Sequence, residues 1–116
     1  MSKLLDGMTA YGADIEGVLD RFMNDEELYA TCLQEFVETT NITELKNNKE
    51  SGSYDNAFEI AHALKGVAGN LGLVPLFDSS CILVESLRHK NYDNLTAEFN
   101  DVDRKMQDFL AVYKSL

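Results

Sequence analysis

Hydrophobic residues recur along most of the chain at spacings of three and four, which is the period of an α-helix. The chain has one proline in 116 residues and little of the alternation typical of β-strands. We therefore predict an all-α protein, an antiparallel up-down four-helix bundle with a short extra N-terminal helix, in a single domain over residues 1–116. The short helix is predicted over about 14–22, and the bundle helices over 25–45, 54–71, 75–89 and 93–115.

Capping residues and turn residues set these predicted boundaries. Asn24 is expected to cap the 25–45 helix, with Glu27 completing a capping box. The polar stretch over 46–52, KNNKESG, predicts the longest loop. Gly72 is expected to end the 54–71 helix, and Pro75 suits the first turn of the next. The last helix repeats apolar residues in steps of four and three, which favours long antiparallel packing: Leu95, Phe99, Val102, Met106, Phe109, Tyr113 and Leu116.

The 54–71 helix has one apolar face and one unusual polar face. At 100° per residue, its core face comprises Ala57, Ile60, Ala61, Leu64, Val67, Ala68 and Leu71. His62 falls almost opposite this face, so we expect it to point into water. Gly66 and Gly69 follow on the same side as His62, although a glycine inside a helix costs about 1 kcal/mol relative to alanine. The two glycines predict a bare surface beside the imidazole, open to a bulky partner.

Two further side chains are predicted to flank the imidazole. Lys65 lies three residues after His62, at neighbour distance on the helix surface, where its ammonium could neutralise an anion. Phe58 lies one turn before His62 and off the core face, and it would supply an exposed apolar contact. Each residue alone has a simpler interpretation, such as a surface histidine, a solvated lysine, a packing glycine or a tucked phenylalanine. Together they favour an imidazole that accepts and releases a phosphoryl group in another protein's active site.

Composition narrows the function further. The 20 acidic residues outnumber the 10 basic ones, and the net charge of −10 argues against nucleic-acid binding. No run approaches 18 apolar residues and no signal-peptide pattern precedes the first helix, so we expect a cytoplasmic protein that does not span a membrane. Cys32 and Cys81 lack metal-ligand spacing and are expected to be buried thiols. The chain carries no Walker loop, GxSxG or HExxH motif.

The segment from Ala61 to Leu73, AHALKGVAGNLGL, resembles the signature of histidine-containing phosphotransfer (HPt) domains, roughly H-x-L-K-G followed by L-G. The matching positions are His62, Leu64, Lys65, Gly66, Leu71 and Gly72. The wider helix pattern is also similar over nearly the whole chain. With no kinase or receiver attached, the chain resembles a free-standing HPt protein.

The resemblance implies a phosphorelay carrier. His62 would accept a phosphoryl group from the phospho-aspartate of a receiver domain and pass it reversibly to another receiver. Lys65 would offset the transferred charge, and the docking residues would be Phe58, Glu59, Gly66 and Gly69. The implied partners are response-regulator receiver domains and a hybrid sensor histidine kinase. Mg²⁺ would belong to the receiver, so we expect no metal, no cofactor and no enzyme activity of its own, and we expect a monomer.

One position departs from many relatives, in which a polar side chain on the following helix, often Gln, bonds the inner nitrogen of the histidine ring. The predicted register places Val84 there, with Glu85 and Ser86 beside it, and leaves that partner unassigned. Arg88 or Lys90 is expected to help Lys65 form a local basic spot.

Three other interpretations stay open at this point, and one of them is a plain structural bundle, which would leave the two glycines unexplained. An HPt-like bundle could dock on receivers or kinases without carrying phosphate. His62 could instead be a metal ligand, although Phe58 and Gly66 at four residues either side are not ligands and Glu59 alone cannot complete a site.

Overall fold

The computed structural model describes residues 2–40 and 42–116. Within these residues the chain forms seven α-helices and no strand, so the all-α prediction is confirmed. The helices are α1 (Lys3–Tyr11), α2 (Ile15–Arg21), α3 (Glu26–Thr39), α4 (Ile42–Glu50), α5 (Tyr54–Asn70), α6 (Val74–Arg88) and α7 (Leu95–Lys114). The bounds of α5, α6 and α7 differ from the predicted ranges by one or two residues. No described helix holds a stretch that is long and apolar enough to cross a membrane.

The core is centred on α6, which packs on α5 on one side and on α7 on the other. The α6 residues in this core include Leu76, Leu83 and Val84, which are fully buried. α3 joins this core through Phe36, whose ring lies 5.6 Å from that of Phe109 on α7. Other fully buried large residues are Met8, Val18, Tyr29, Leu33, Leu45, Leu73 and Val102. The outer face of α5 is left free for other contacts.

The predicted 25–45 helix is wrong at its C-terminal end. α3 ends at Thr39, Thr40 is extended with φ −81° and ψ 129°, and α4 then occupies much of the predicted loop. Asn41 lies outside the described residues. Leu45 is buried and Ile42 is half-buried. The apolar side of α4 therefore packs on the core, while its polar residues face water. This packing outweighs the polar composition that predicted a loop.

The predicted cap of α3 is also wrong. Asp25, and not Asn24, is the N-cap, and its carboxylate accepts a hydrogen bond of 3.0 Å from the Leu28 amide. Met23 and Asn24 take left-handed backbone angles, φ 56° and 61°, and form the turn after α2. The Asn24 amide donates to the Leu19 carbonyl at 2.8 Å, which helps to end α2. Asn24 therefore belongs to the end of one helix rather than to the start of the next.

The helix α1 was not predicted. Ser2 caps it by accepting a hydrogen bond of 3.1 Å from the Leu5 amide, and Gly12, with φ 109°, ends it. Leu5 and Met8 are buried, and the Tyr11 hydroxyl donates to the Lys105 carbonyl at 3.1 Å. α1 therefore packs on α7, and the chain has two helices before α3 instead of one.

Candidate functional site

His62 lies on the outer face of α5. The opposite face of this helix is buried through Ala57, Ala61, Leu64 and Ala68, which hold α5 against its neighbours. Ile60 is only half-buried and Val67 is 42% exposed, so the core face is narrower than the predicted arc. The His62 side chain is exposed. The structure thus places the imidazole where a partner protein can reach it.

The surface one turn after His62 is open. Gly66 is exposed, and a Cβ added there would meet no atom within 4 Å outside its own helix backbone. No neighbouring element therefore requires a glycine at this position. A glycine inside a helix lowers the stability of that helix, and here no packing contact requires one. This pattern is expected where a partner approaches the helix backbone.

Gly69 differs from Gly66, and the prediction that it shares the open surface is wrong. A Cβ at Gly69 would lie 3.0 Å from the Phe77 ring on α6. The Arg21 guanidinium also covers this end of α5, since it donates to the carbonyls of Gly69 at 3.3 Å and Asn70 at 3.0 Å. Gly69 is a packing glycine that lets α6 approach α5.

Phe58 is half-buried and packs against the core, so it is less exposed than the predicted apolar contact. Its ring centroid is 5.7 Å from that of His62, with an angle of 30° between the two planes. Arg88 reaches over from α6 and places its Cζ atom 5.5 Å from the Phe58 centroid. The structure therefore joins Phe58, His62 and Arg88 in one cluster, while Glu59 is exposed beside them.

Lys65 is half-buried and lies three residues after His62 on α5. In the part of the chain that the structure describes, no carboxylate lies within 4 Å of its ammonium, because every ion pair found there involves Glu85 or Asp101. The positive charge is therefore not neutralised internally.

The His62 ring has no hydrogen bond to any group within residues 2–40 and 42–116. Val84 is fully buried in the core. The Ser86 hydroxyl donates to Glu98 at 2.7 Å, and Glu85 pairs with Arg88 at 3.3 Å. None of the three residues at the expected register therefore bonds the imidazole.

A groove that the sequence did not reveal runs between α3, α4 and α5. One part, of about 230 Å³, is lined mostly by apolar and threonine side chains that include Phe36, Ala63 and Val67, and also by Glu44. A neighbouring part, of about 350 Å³, is lined by Cys32 and Gly66 among others. Both cysteines are free thiols and only half-buried, so the expectation of buried thiols is wrong.

Two side-chain hydrogen bonds connect helices of the fold, one at the end of α5 and one between α6 and α7. The buried Tyr29 hydroxyl donates to the Leu71 carbonyl at 2.8 Å and so ties α3 to the end of α5. Burial raises the pKa of Tyr29 to about 12. Asp101 on α7 accepts from Ser79 on α6, and this bond, with that from Lys105, lowers the pKa of its carboxyl. The described residues contain no group of three or more side chains that could hold a metal ion.

The comparison with family models gives a match to the Hpt domain over residues 26–111. The chain belongs to the Hpt domain family. Hpt domains act in phosphotransfer within phosphorelay signalling, as phosphocarriers rather than catalysts, and they interact with receiver domains and kinases. No curated protein and no solved structure matches the chain. The matched range includes α3–α6 and most of α7, and with them His62, Lys65 and Gly66.

Proposed function

We propose that this Hpt domain is a phosphorelay carrier whose phosphoacceptor is His62. The observation that carries the proposal is the exposed imidazole on α5 beside the open backbone at Gly66. An accessible ring nitrogen with free space next to it is what transfer between two proteins requires, since the receiver's active site must surround the reacting phosphorus atom.

The transfer step needs a neutral imidazole, a form that histidine populates near neutral pH. Its unprotonated nitrogen attacks the phosphorus of the receiver's phospho-aspartate. The nitrogen–phosphorus bond forms as the bond between phosphorus and the aspartyl oxygen breaks, and the electron pair stays on the released carboxylate. The reverse step loads a second receiver. We propose that Mg²⁺ is bound by the receiver and that this chain supplies no metal or cofactor.

Lys65 is proposed to stabilise the charge of the transferring group. Its ammonium has no internal carboxylate partner among the described residues. In the transition state the transferring phosphoryl group carries negative charge on its oxygens. A nearby cation therefore lowers the activation barrier of the transfer. This local positive charge matters more in a chain with a net charge of −10, which would otherwise repel an acidic receiver site.

The proposed docking surface surrounds His62 and extends along the exposed side of α3. Phe58, Glu59 and Gly66 would contact the receiver directly, whereas Gly69 would only let α6 pack below them. The groove next to Gly66 gives this surface an apolar part. We propose response-regulator receivers and a hybrid sensor histidine kinase as partners. We also propose that α3, α5, α6 and α7 form the antiparallel four-helix arrangement, with the protein a monomer in the cytoplasm.

A two-step relay tests the carrier role. The protein is first labelled from a phosphorylated receiver, repurified and then mixed with a second, unphosphorylated receiver in the presence of Mg²⁺. A carrier should lose label as the second receiver gains it. Label that stays on the protein with every receiver tried, and decays only by hydrolysis, would contradict the carrier role. A protein that binds receivers but takes up no label would be a docking module only.

A further inference from the structure

We propose that Phe58 and Arg88 are positioning residues that orient the His62 imidazole by ring contact, in place of a side-chain hydrogen bond. The inference rests on the proposed function of His62, because an orientation matters only if the ring reacts. It assigns a role to a residue of α6 that the sequence motif does not contain.

The first observation is that the imidazole is otherwise free to turn. Among the described residues no group forms a hydrogen bond with its ring. Glu85 pairs with Arg88 instead, and Ser86 bonds Glu98. An exposed side chain without a partner changes rotamer in picoseconds to nanoseconds. Attack on phosphorus needs one ring orientation, so every unproductive rotamer lowers the transfer rate.

The second observation is the contact between Phe58 and His62. Their ring centroids are 5.7 Å apart and their planes differ by 30°, within the range of offset aromatic pairs. The two residues are four apart on α5, so their side chains lie on the same side of the helix. Phe58 packs against the core, unlike the exposed imidazole. The more fixed ring therefore limits the orientations of the freer one.

The third observation is the support that Phe58 receives from α6. The Arg88 Cζ atom lies 5.5 Å from the Phe58 centroid, inside the distance of a cation–π contact. Glu85 holds the guanidinium by an ion pair of 3.3 Å within the same helix. Glu85, Arg88, Phe58 and His62 therefore form a continuous series of contacts from α6 to the reacting ring. Arg88 acts on His62 through Phe58, which makes it a positioning residue.

Four variants distinguish the effects of the aromatic ring and of the positive charge from the effect of side-chain size. Phe58→Leu removes the ring and keeps an apolar side chain, and Phe58→Tyr keeps the ring. Arg88→Gln removes the cation and Arg88→Lys keeps it. Two matched controls are available. Phe77→Leu changes the other half-buried phenylalanine, which contacts Gly69, and Arg104→Gln removes a cation with the same i,i+3 pairing on α7.

The first measurement is the NMR spectrum of the unphosphorylated protein. The Phe58 ring should shift the carbon-bound ring protons of His62 through its ring current. We expect these resonances to move toward free-histidine positions in Phe58→Leu, to move partway in Arg88→Gln, and to stay in Phe58→Tyr, Phe77→Leu and Arg104→Gln. Unchanged His62 resonances in Phe58→Leu would overturn the proposal without reference to phosphate.

The second measurement is the rate of transfer from a phosphorylated receiver as a function of receiver concentration. A lost orienting contact should lower the saturating rate of Phe58→Leu by about three- to tenfold and that of Arg88→Gln by about two- to threefold. The half-saturating concentration should change less than the saturating rate, because leucine keeps an apolar side chain at the proposed docking surface. Phe58→Tyr and Arg88→Lys should recover most of the rate, and the two controls should match the wild type. Circular dichroism checks that each variant is folded.

The possible failures are distinguishable. Wild-type protein that takes no label from any receiver refutes the proposed function, while the NMR shifts still decide whether Phe58 and Arg88 orient the ring. A labelled wild type with a Phe58→Leu variant of unchanged saturating rate refutes the positioning role alone. Equal losses in Phe58→Leu and Phe58→Tyr would also refute it, because the ring would then be irrelevant.

Discussion

Gly66 and Gly69 occupy the same side of α5 but have different surroundings. Gly66 faces open space, whereas Gly69 lies under the Phe77 ring of α6. Substitution at the first should therefore act on the partner, and substitution at the second should act on the fold.

Gly66→Gln should slow phosphoryl transfer by about tenfold or more, because misplacing reacting groups by an ångström can cost a hundredfold. The side chain has free space in the isolated protein, so the helical circular dichroism should not change. Transfer kinetics from a phosphorylated receiver measure the effect, with Gly66→Ala as the smaller control. A normal rate for Gly66→Gln would show that the open surface is not used.

Gly→Ala substitutions should affect stability differently at the two positions. Gly66→Ala should raise the free energy of unfolding by up to about 1 kcal/mol, because alanine favours the helix and nothing obstructs its Cβ. Gly69→Ala should lose that gain, since its Cβ would lie 3.0 Å from the Phe77 ring and crowding in a packed contact costs about 1–3 kcal/mol. Urea denaturation measures both. Equal stabilisation by the two substitutions would contradict the packing role of Gly69.

The residue pattern alone could predict which side of α5 carries His62, but not what covers each glycine. A helical wheel fixes angles about one axis and carries no information on the neighbouring helices. Gly69 is covered because Phe77 and Arg21 approach it from α6 and α2. For the same reason the contact between Arg88 and Phe58 appears only when the helices are assembled.

At the scale of elements, the contact between α6 and α7 contains a carboxylate whose charge contributes to stability. Asp101 accepts hydrogen bonds from Ser79 on α6 and from Lys105 on its own helix, and these hold the pKa of its carboxyl below the usual range. Such a carboxylate stabilises the fold above its unfolded pKa of about 4. The contribution is lost as the pH falls through the folded value.

Asp101→Asn should therefore lower the free energy of unfolding by about 1 kcal/mol at pH 7. The difference from wild type should shrink as the pH falls from about 4 through the lower folded pKa. Urea denaturation over a pH series measures it. Asp103→Asn is the control, because Asp103 on the same helix accepts, among the residues that the structure describes, a single side-chain bond of 3.3 Å from Gln107. A difference that grows toward acid pH would contradict the assigned direction.

The helices α5, α6 and α7 could be predicted to within one or two residues, because each carries several turns of apolar periodicity. The short helices α1 and α4 could not. α4 has little beyond Ile42 and Leu45 on its apolar side, too few positions to define a period in a polar stretch. What decides α4 is its packing on α5, a tertiary contact that outweighs composition.

At the scale of the whole molecule, the charge balance is a source of self-repulsion. The chain carries 20 acidic and 10 basic residues, and the ion pairs among the described residues join exposed or partly exposed side chains three or four positions apart. Exposed pairs of this kind contribute little to stability. The compact state therefore holds excess negative charge close together.

Raising the ionic strength from about 0.01 to 0.15 M should raise the Tm by roughly a few degrees, because the Debye length falls from about 30 to 8 Å and the repulsion is screened. Differential scanning calorimetry measures the shift at pH 7. Sodium chloride and potassium chloride should act alike if screening is the cause. A Tm that falls with salt would mean that attractive ion pairs outweigh the net charge.

The central claim is that His62 carries the phosphoryl group. The direct test is transfer of radiolabel from a phosphorylated receiver to the wild type, to His62→Gln and to His89→Gln, which removes the other exposed histidine. The wild type and His89→Gln should gain label that acid removes and base does not, and His62→Gln should gain none. Label on folded His62→Gln at the wild-type level would contradict the account.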